Sequence, residues 1–171
     1  PEVLYLYLNK KDNNQYNDRL IFFAEPGEMF VNTTLKNFEG DAIVEGSENQ
    51  KKLMEYRAMM QNFNSKNLEL IQRNFAAQQA QNQDSIDITT KEYNNLLKRR
   101  YLYTVNFALN NKDYEVAPYL AISEVYDANI KYLDTIYKSL TPEVQNSRYG
   151  QSLEDFLKER KELEQQEEQI Q

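Results

Sequence analysis

The hydrophobic pattern changes its period near residue 50. Up to that point apolar residues come in short runs, Val3 to Leu8, Leu20 to Ala24, Met29 to Thr33 and Ala42 to Val44, broken by turn residues that include three of the four glycines. Short runs rich in β-branched and aromatic residues predict strands. The polar cluster from Asn9 to Asn14 predicts the turn between the first two. Glu25-Pro26-Gly27-Glu28 predicts a type II turn into the third, because proline presets φ and the glycine after it accepts positive φ. Four such strands form too small a sheet to be stable without something covering its apolar face.

From Gln50 onward the spacing is helical. Leu53, Tyr56, Met60, Phe63, Leu68, Ile71 and Phe75 recur at threes and fours, with one slip near Asn67, as one long amphipathic stripe. Ala76 to Gln83 loses its apolar residues, so this helix end is expected to reach into solvent. Thr89-Thr90-Lys91-Glu92 has the form of a capping box and is expected to open a second helix, with Tyr93, Leu96, Leu97, Tyr101, Val105 and Phe107 as its stripe and Asn110 to Asp113 as its end. Two long antiparallel helices joined by a polar loop around Asp84 follow. Shorter helices are expected near Val116 to Tyr126 and Asp127 to Leu140, and Thr141-Pro142 starts another, with proline where its missing N–H costs nothing. Tyr149-Gly150 reads as a break before a polar terminal helix, whose residues 154–171 hold seven acids against three bases. The predicted class is α+β: a small antiparallel sheet, a meander or partial sandwich, packed against a helical bundle. Residues 1–49 form its β subdomain, 50–150 its helical subdomain, and 151–171 a charged terminal helix or linker.

Composition narrows the chemistry. The 171 residues contain no Cys, no His and no Trp, which excludes Cys-His or Ser-His-Asp nucleophiles, ordinary zinc sites and disulfides. With 19 Asn and 14 Gln the mean hydropathy is −0.83, yet 13 Tyr and 8 Phe supply enough burial area for a core. A net charge of −7 argues against nucleic acid as a partner. The basic cluster Lys98-Arg99-Arg100 reads as solvated helix surface. No apolar run approaches a membrane span. The chain opens at Pro1 with no initiator Met and reads as a mature or trimmed product, so the lack of a signal peptide carries no information.

The remaining candidates for chemistry are carboxylates, Tyr, Lys and Ser. Glu154-Asp155 and Glu167-Glu168 lie on the polar tail with little to bury them, and general acid work needs a carboxyl displaced by burial. Asp12, Asn14 and Asp18 have the spacing of a calcium loop, but Asn17 and Phe23 stand where glycine and a bidentate Glu are required, so a hairpin turn is the better reading. The Tyr-rich stretch from Tyr101 to Tyr137 offers a ligand groove, with Tyr101, Phe107, Tyr119 and Tyr126 as its candidate wall for a glycan or peptide; core packing is the competing reading. No metal, cofactor or catalytic residue is expected. Asn32-Thr33-Thr34 matches the N-glycosylation acceptor. Asp84-Ser85-Ile86, in the expected loop, and Asp134-Thr135-Ile136, inside an expected helix, resemble the short acceptor motif of periplasmic O-glycosylation in Bacteroidetes.

Val3 to Leu8, Phe23 to Met29 and Val44 to Gln50, with Ala117 to Ile122 and Leu140 to Gly150 after them, resemble a Bacteroidetes domain of unknown function. That domain lies N-terminal to many AhpC/TSA-type, thioredoxin-like proteins of the cell envelope. The resemblance implies a small β domain followed by helices, whose first strands lie before Pro1. It also implies a location in the periplasm or outer envelope, with a membrane tie only through a lipid anchor on a lost N-terminus. This sequence departs from the family in lacking the thioredoxin-like part and its Cys-x-x-Cys, so no catalytic residue is carried over. The role implied is a non-catalytic accessory module that binds or positions a protein partner or an appended thioredoxin-like domain. A homodimer built on the long helical pair is the structural alternative.

Overall fold

A computed structural model describes residues 1–8 and 19–170, with side chains through Gln166. The calcium-loop and hairpin-turn reading of Asp12 to Asp18 lies outside the described residues, as do the side chains of Glu167 and Glu168. The α+β class holds. Strands β1 (Glu2–Tyr7), β2 (Arg19–Ala24), β3 (Phe30–Asn32) and β4 (Ile43–Glu45) precede helices α1 (Glu48–Gln79), α2 (Gln83–Asn110), α3 (Val116–Glu124), α4 (Ile130–Ser139), α5 (Pro142–Gln145) and α6 (Arg148–Ile170).

The strands pair as two separate antiparallel ladders, β1–β2 and β3–β4. In the first, Val3 stands opposite Phe23 and Tyr5 opposite Ile21. Gly27 takes φ of 122° in the Pro-Gly turn, as its position requires, and the chain passes through it from β2 to β3. Phe23 is the anchor of the larger ladder. It is fully buried among Leu53, Tyr56 and Met60 of α1 and Val116 and Leu120 of α3. Its ring meets Tyr119 of α3 and Tyr149 of α6 edge-on at 5.5 and 5.7 Å. A second core cluster joins Val105 and Ala108 of α2 to Ala117, Leu133, Ile136, Val144, Leu153 and Leu157 of the later helices.

A hydrogen-bonded node fastens the ladder to the helices. Ser47 caps α1, its hydroxyl accepting from the Gln50 amide at 2.9 Å and donating to Glu25 at 2.8 Å. The Glu25 carboxylate also accepts the Asn49 backbone N–H at 2.7 Å, as an acid at a helix N-terminus should. Asn49, 2 % exposed, spans the junction: its amide donates to Glu25 and Glu115, and its carbonyl accepts the Val116 N–H at 2.8 Å. Gln50 reaches the other way and accepts the Phe23 N–H at 2.8 Å.

α6 begins in the core. Its first turns bury Leu153 and Leu157, and the Tyr149 hydroxyl accepts the Val3 N–H at 2.9 Å, while the side chains from Lys161 to Gln166 lie in solvent. Gly150, expected at a break, lies inside the first turn of α6. No described helix is long and apolar enough to cross a membrane.

Candidate functional site

α1 and α2 are far longer than the body they leave. At 1.5 Å per residue, 32 and 28 residues extend about 48 and 42 Å. The cluster around Phe23 draws on α1 no further than Phe63, and the two clusters draw on α2 only from Tyr101 onward. From Asn64 to Arg99 only Leu70, Ala77 and Thr89 are buried, so among the described residues this part of the hairpin is two helices packed on each other.

The tip is a tight helix stop. Gln81 takes φ of 53°, its N–H donates to Gln78 O at 3.1 Å, and the Asn82 N–H donates to Ala77 O at 3.0 Å, which together make a Schellman motif. Asn82 is also the cap of α2, its side chain accepting the Ser85 N–H at 3.0 Å. α2 therefore starts seven residues before the expected capping box. Asp84-Ser85-Ile86 is its first turn, where Asp84 offsets the helix dipole, and not an exposed loop. Thr89 does not cap: its hydroxyl bonds back to Ser85 O at 2.9 Å and accepts the Asn74 amide of α1 at 2.7 Å. Glycine is free of the left-handed strain that Gln81 bears. Gln81→Gly is expected to stabilise the protein by about 1 kcal/mol in urea unfolding, and a loss of stability would contradict the motif.

Two apolar stripes flank the seam of this hairpin. On α1 they are Leu68, Ile71 and Phe75, which are 57, 53 and 60 % exposed; on α2, Ile86, Thr90, Tyr93 and Leu97, with Tyr93 42 % exposed. Between them lies a cavity of about 320 Å³, with Leu70 and Thr89 at its floor and Ile71, Phe75, Thr90 and Tyr93 on its walls. The opposite face combines the small residues Ala76, Ala77, Ala80 and Ser85 with the exposed Ile88, and is crossed by the Arg73–Glu92 ion pair at 2.7 Å. Surface hydrophobics scattered singly need no explanation; a contiguous stripe on a protruding element marks an interaction surface.

The predicted aromatic wall is distributed differently. Phe107 and Tyr119 pack against the cluster around Phe23, Phe107 lying 5.4 Å from Tyr56. Tyr101 belongs to the other cluster, and its hydroxyl donates to Asp127 at 2.6 Å; that bond, helped by burial, pushes its phenol up to about 12. Tyr126 is exposed, and its carbonyl accepts from Arg160. Among the described residues no ring pair joins any two of the four.

Of the basic cluster, Arg100 pairs with Glu124 at 2.9 Å, while Lys98 and Arg99 are exposed. Thr135 lies within α4, as expected, its hydroxyl bonded to Lys131 O. Among the described residues, the carboxyls with displaced titration move down. Hydrogen bonds from Lys66 to Glu69 and from Lys138 to Asp134 are the leading causes for those two. At Glu25 burial acts upward and is outweighed by hydrogen bonds from Asn49 and Ser47.

Residues 1–53 match the domain of unknown function DUF4369, which agrees with the resemblance carried by the first three sequence motifs. No curated protein and no solved structure gives a significant match to the chain.

Proposed function

We propose that this chain is a non-catalytic interaction module of a bacterial cell-envelope protein of the thioredoxin-like class, and that it engages its partner through the groove of the α1–α2 hairpin. The observation that carries the reading is the run of half-exposed Leu68, Ile71, Phe75 and Tyr93 along a hairpin that no third layer of the described residues covers. Burial of four such side chains repays association, at roughly 25 cal/mol for each Å² removed from water. The envelope location and the redox neighbour rest on the family resemblance, which the DUF4369 match supports for the N-terminal part. The non-catalytic role rests on the sequence, which has no Cys or His for nucleophilic or thiol chemistry.

A benzophenone amino acid placed at Phe75 tests this in the cells that make the protein. Irradiation is expected to give discrete adducts from position 75, none from the exposed Glu55 at the hairpin root, and loss of the adducts on Tyr93→Glu. An absence of adducts from position 75 would sink the reading.

A further inference from the structure

We infer that the occupant of this groove is a second copy of the chain, packed with the two α2 helices antiparallel about a two-fold axis beside Tyr93. The inference rests on the reading of the hairpin as a docking surface. It draws on two further properties of α2.

The first is the spacing of its stripe. Ile86, Thr90, Tyr93 and Leu97 are separated by four, three and four residues, a sequence of steps that reads the same in both directions. A two-fold axis between residues 91 and 92 therefore sets Ile86 against the partner's Leu97 and Thr90 against the partner's Tyr93. Spacing of this kind permits an isologous interface, which closes at two subunits.

The second is charge. Asp87 and Lys98 are both exposed, and among the described residues neither takes part in an ion pair. They are eleven residues apart, about three helical turns, so both lie along one rim of the stripe. The axis that pairs the stripes brings each Asp87 within one turn of the partner's Lys98. Parallel two-fold packing would turn the two rims to opposite sides of the interface and leave Asp87 and Lys98 without each other. Opposed acid and base ends thus favour the antiparallel arrangement. The overlap is about 20 Å long, and a reversible dimer with a dissociation constant of roughly micromolar is expected.

Sedimentation equilibrium of the full chain from about 1 to 500 µM reads the monomer–dimer balance around that value. The unmodified protein is expected to dimerise, and Tyr93→Glu to remain monomeric with unchanged circular dichroism. Asp87→Lys and Lys98→Glu are each expected to weaken the dimer by about tenfold, through loss of two symmetry-related attractions and gain of two repulsions. The double variant Asp87→Lys/Lys98→Glu restores opposite charges across the axis and is expected to recover the dimer. A monomer throughout the range, or a double variant no tighter than the singles, overturns the second copy as occupant. If adducts from position 75 persist on a different protein while the chain sediments as a monomer, the self-pairing falls and the docking reading stands; if the adducts are also absent, both fall.

Discussion

Replacing Asn49 with alanine is expected to lower the free energy of unfolding by about 3 kcal/mol at neutral pH, out of the ~5–15 kcal/mol that a domain of this size holds. The side chain is buried and makes three hydrogen bonds that join two distant places: Glu25 after β2, and at the start of α3 Glu115 and the N–H of Val116 at 2.8 Å. Truncation leaves the Val116 donor buried without an acceptor, a larger cost than the loss of an exposed bond. The pH dependence distinguishes this cause from simple loss of packing. Glu25 sits below its ordinary value of 4.5: burial pushes it up, and the hydrogen bonds from the Asn49 backbone, Ser47 and the Asn49 amide more than offset that. A folded-state pKa that is depressed contributes stability that is complete above the unfolded-state value and is lost as pH falls through the folded-state value. Without the Asn49 amide the variant has less of this contribution to lose. Its deficit against the unmodified protein is therefore full at pH 7 and narrows below pH 4.5. Urea unfolding at the two pH values measures it. A deficit under about 1 kcal/mol at pH 7, or one that widens in acid, contradicts the role given to Asn49.

The elements were legible because each has a local cause. β-branched and aromatic runs set the four strands, Pro26-Gly27 set the turn between β2 and β3, and Thr141-Pro142 set the start of α5. What the pattern misplaced depended on partners distant in sequence. Thr89 and Glu92 have the form of a cap but lie within a helix, because Asn82 caps first and Asn74, fifteen residues earlier, claims the Thr89 hydroxyl. The hairpin groove left a sign in the sequence that periodicity alone does not interpret. The slip near Asn67 is a step of five from Phe63 to Leu68, and it shifts the mean direction of the stripe by roughly a fifth of a turn round the helix. Before it Leu53, Tyr56, Met60 and Phe63 face the body; after it Leu68, Ile71 and Phe75 face solvent beside the α2 seam. The slip is the boundary between the part of α1 that builds the core and the part that offers a surface. The four aromatic residues predicted as a ligand wall carry no such sign, and burial divides them between two core clusters and the surface.

Gly150→Ala sets two effects of opposite sign against each other. Alanine is the better helix former by about 1 kcal/mol, and Gly150 lies in the first turn of α6, so propensity alone predicts a gain. Space predicts the reverse. A Cβ at Gly150 would stand 2.1 Å from the carbonyl oxygen of Val144 and 2.5 Å from that of Gln145. Both atoms are backbone at the end of α5, so no rotamer change relieves the overlap, and α6 must move away from α5. Core contacts move with it: Leu153 and Leu157 sit in the larger helical cluster, and Tyr149 holds the Val3 N–H and packs on Phe23. Overpacking against backbone at a buried site costs about 3 kcal/mol or more and outweighs the propensity gain. The melting temperature is expected to fall by roughly 10 °C for a chain of this size, with a change in the near-ultraviolet signal of the Tyr149 and Tyr119 rings. The hairpin from Asn64 to Arg100 shares no core residue with this junction, so dimerisation through Phe75 and Tyr93 is expected to survive in the folded variant. A melting temperature equal to or above that of the unmodified protein would mean that α6 does not approach α5 as closely as its glycine allows.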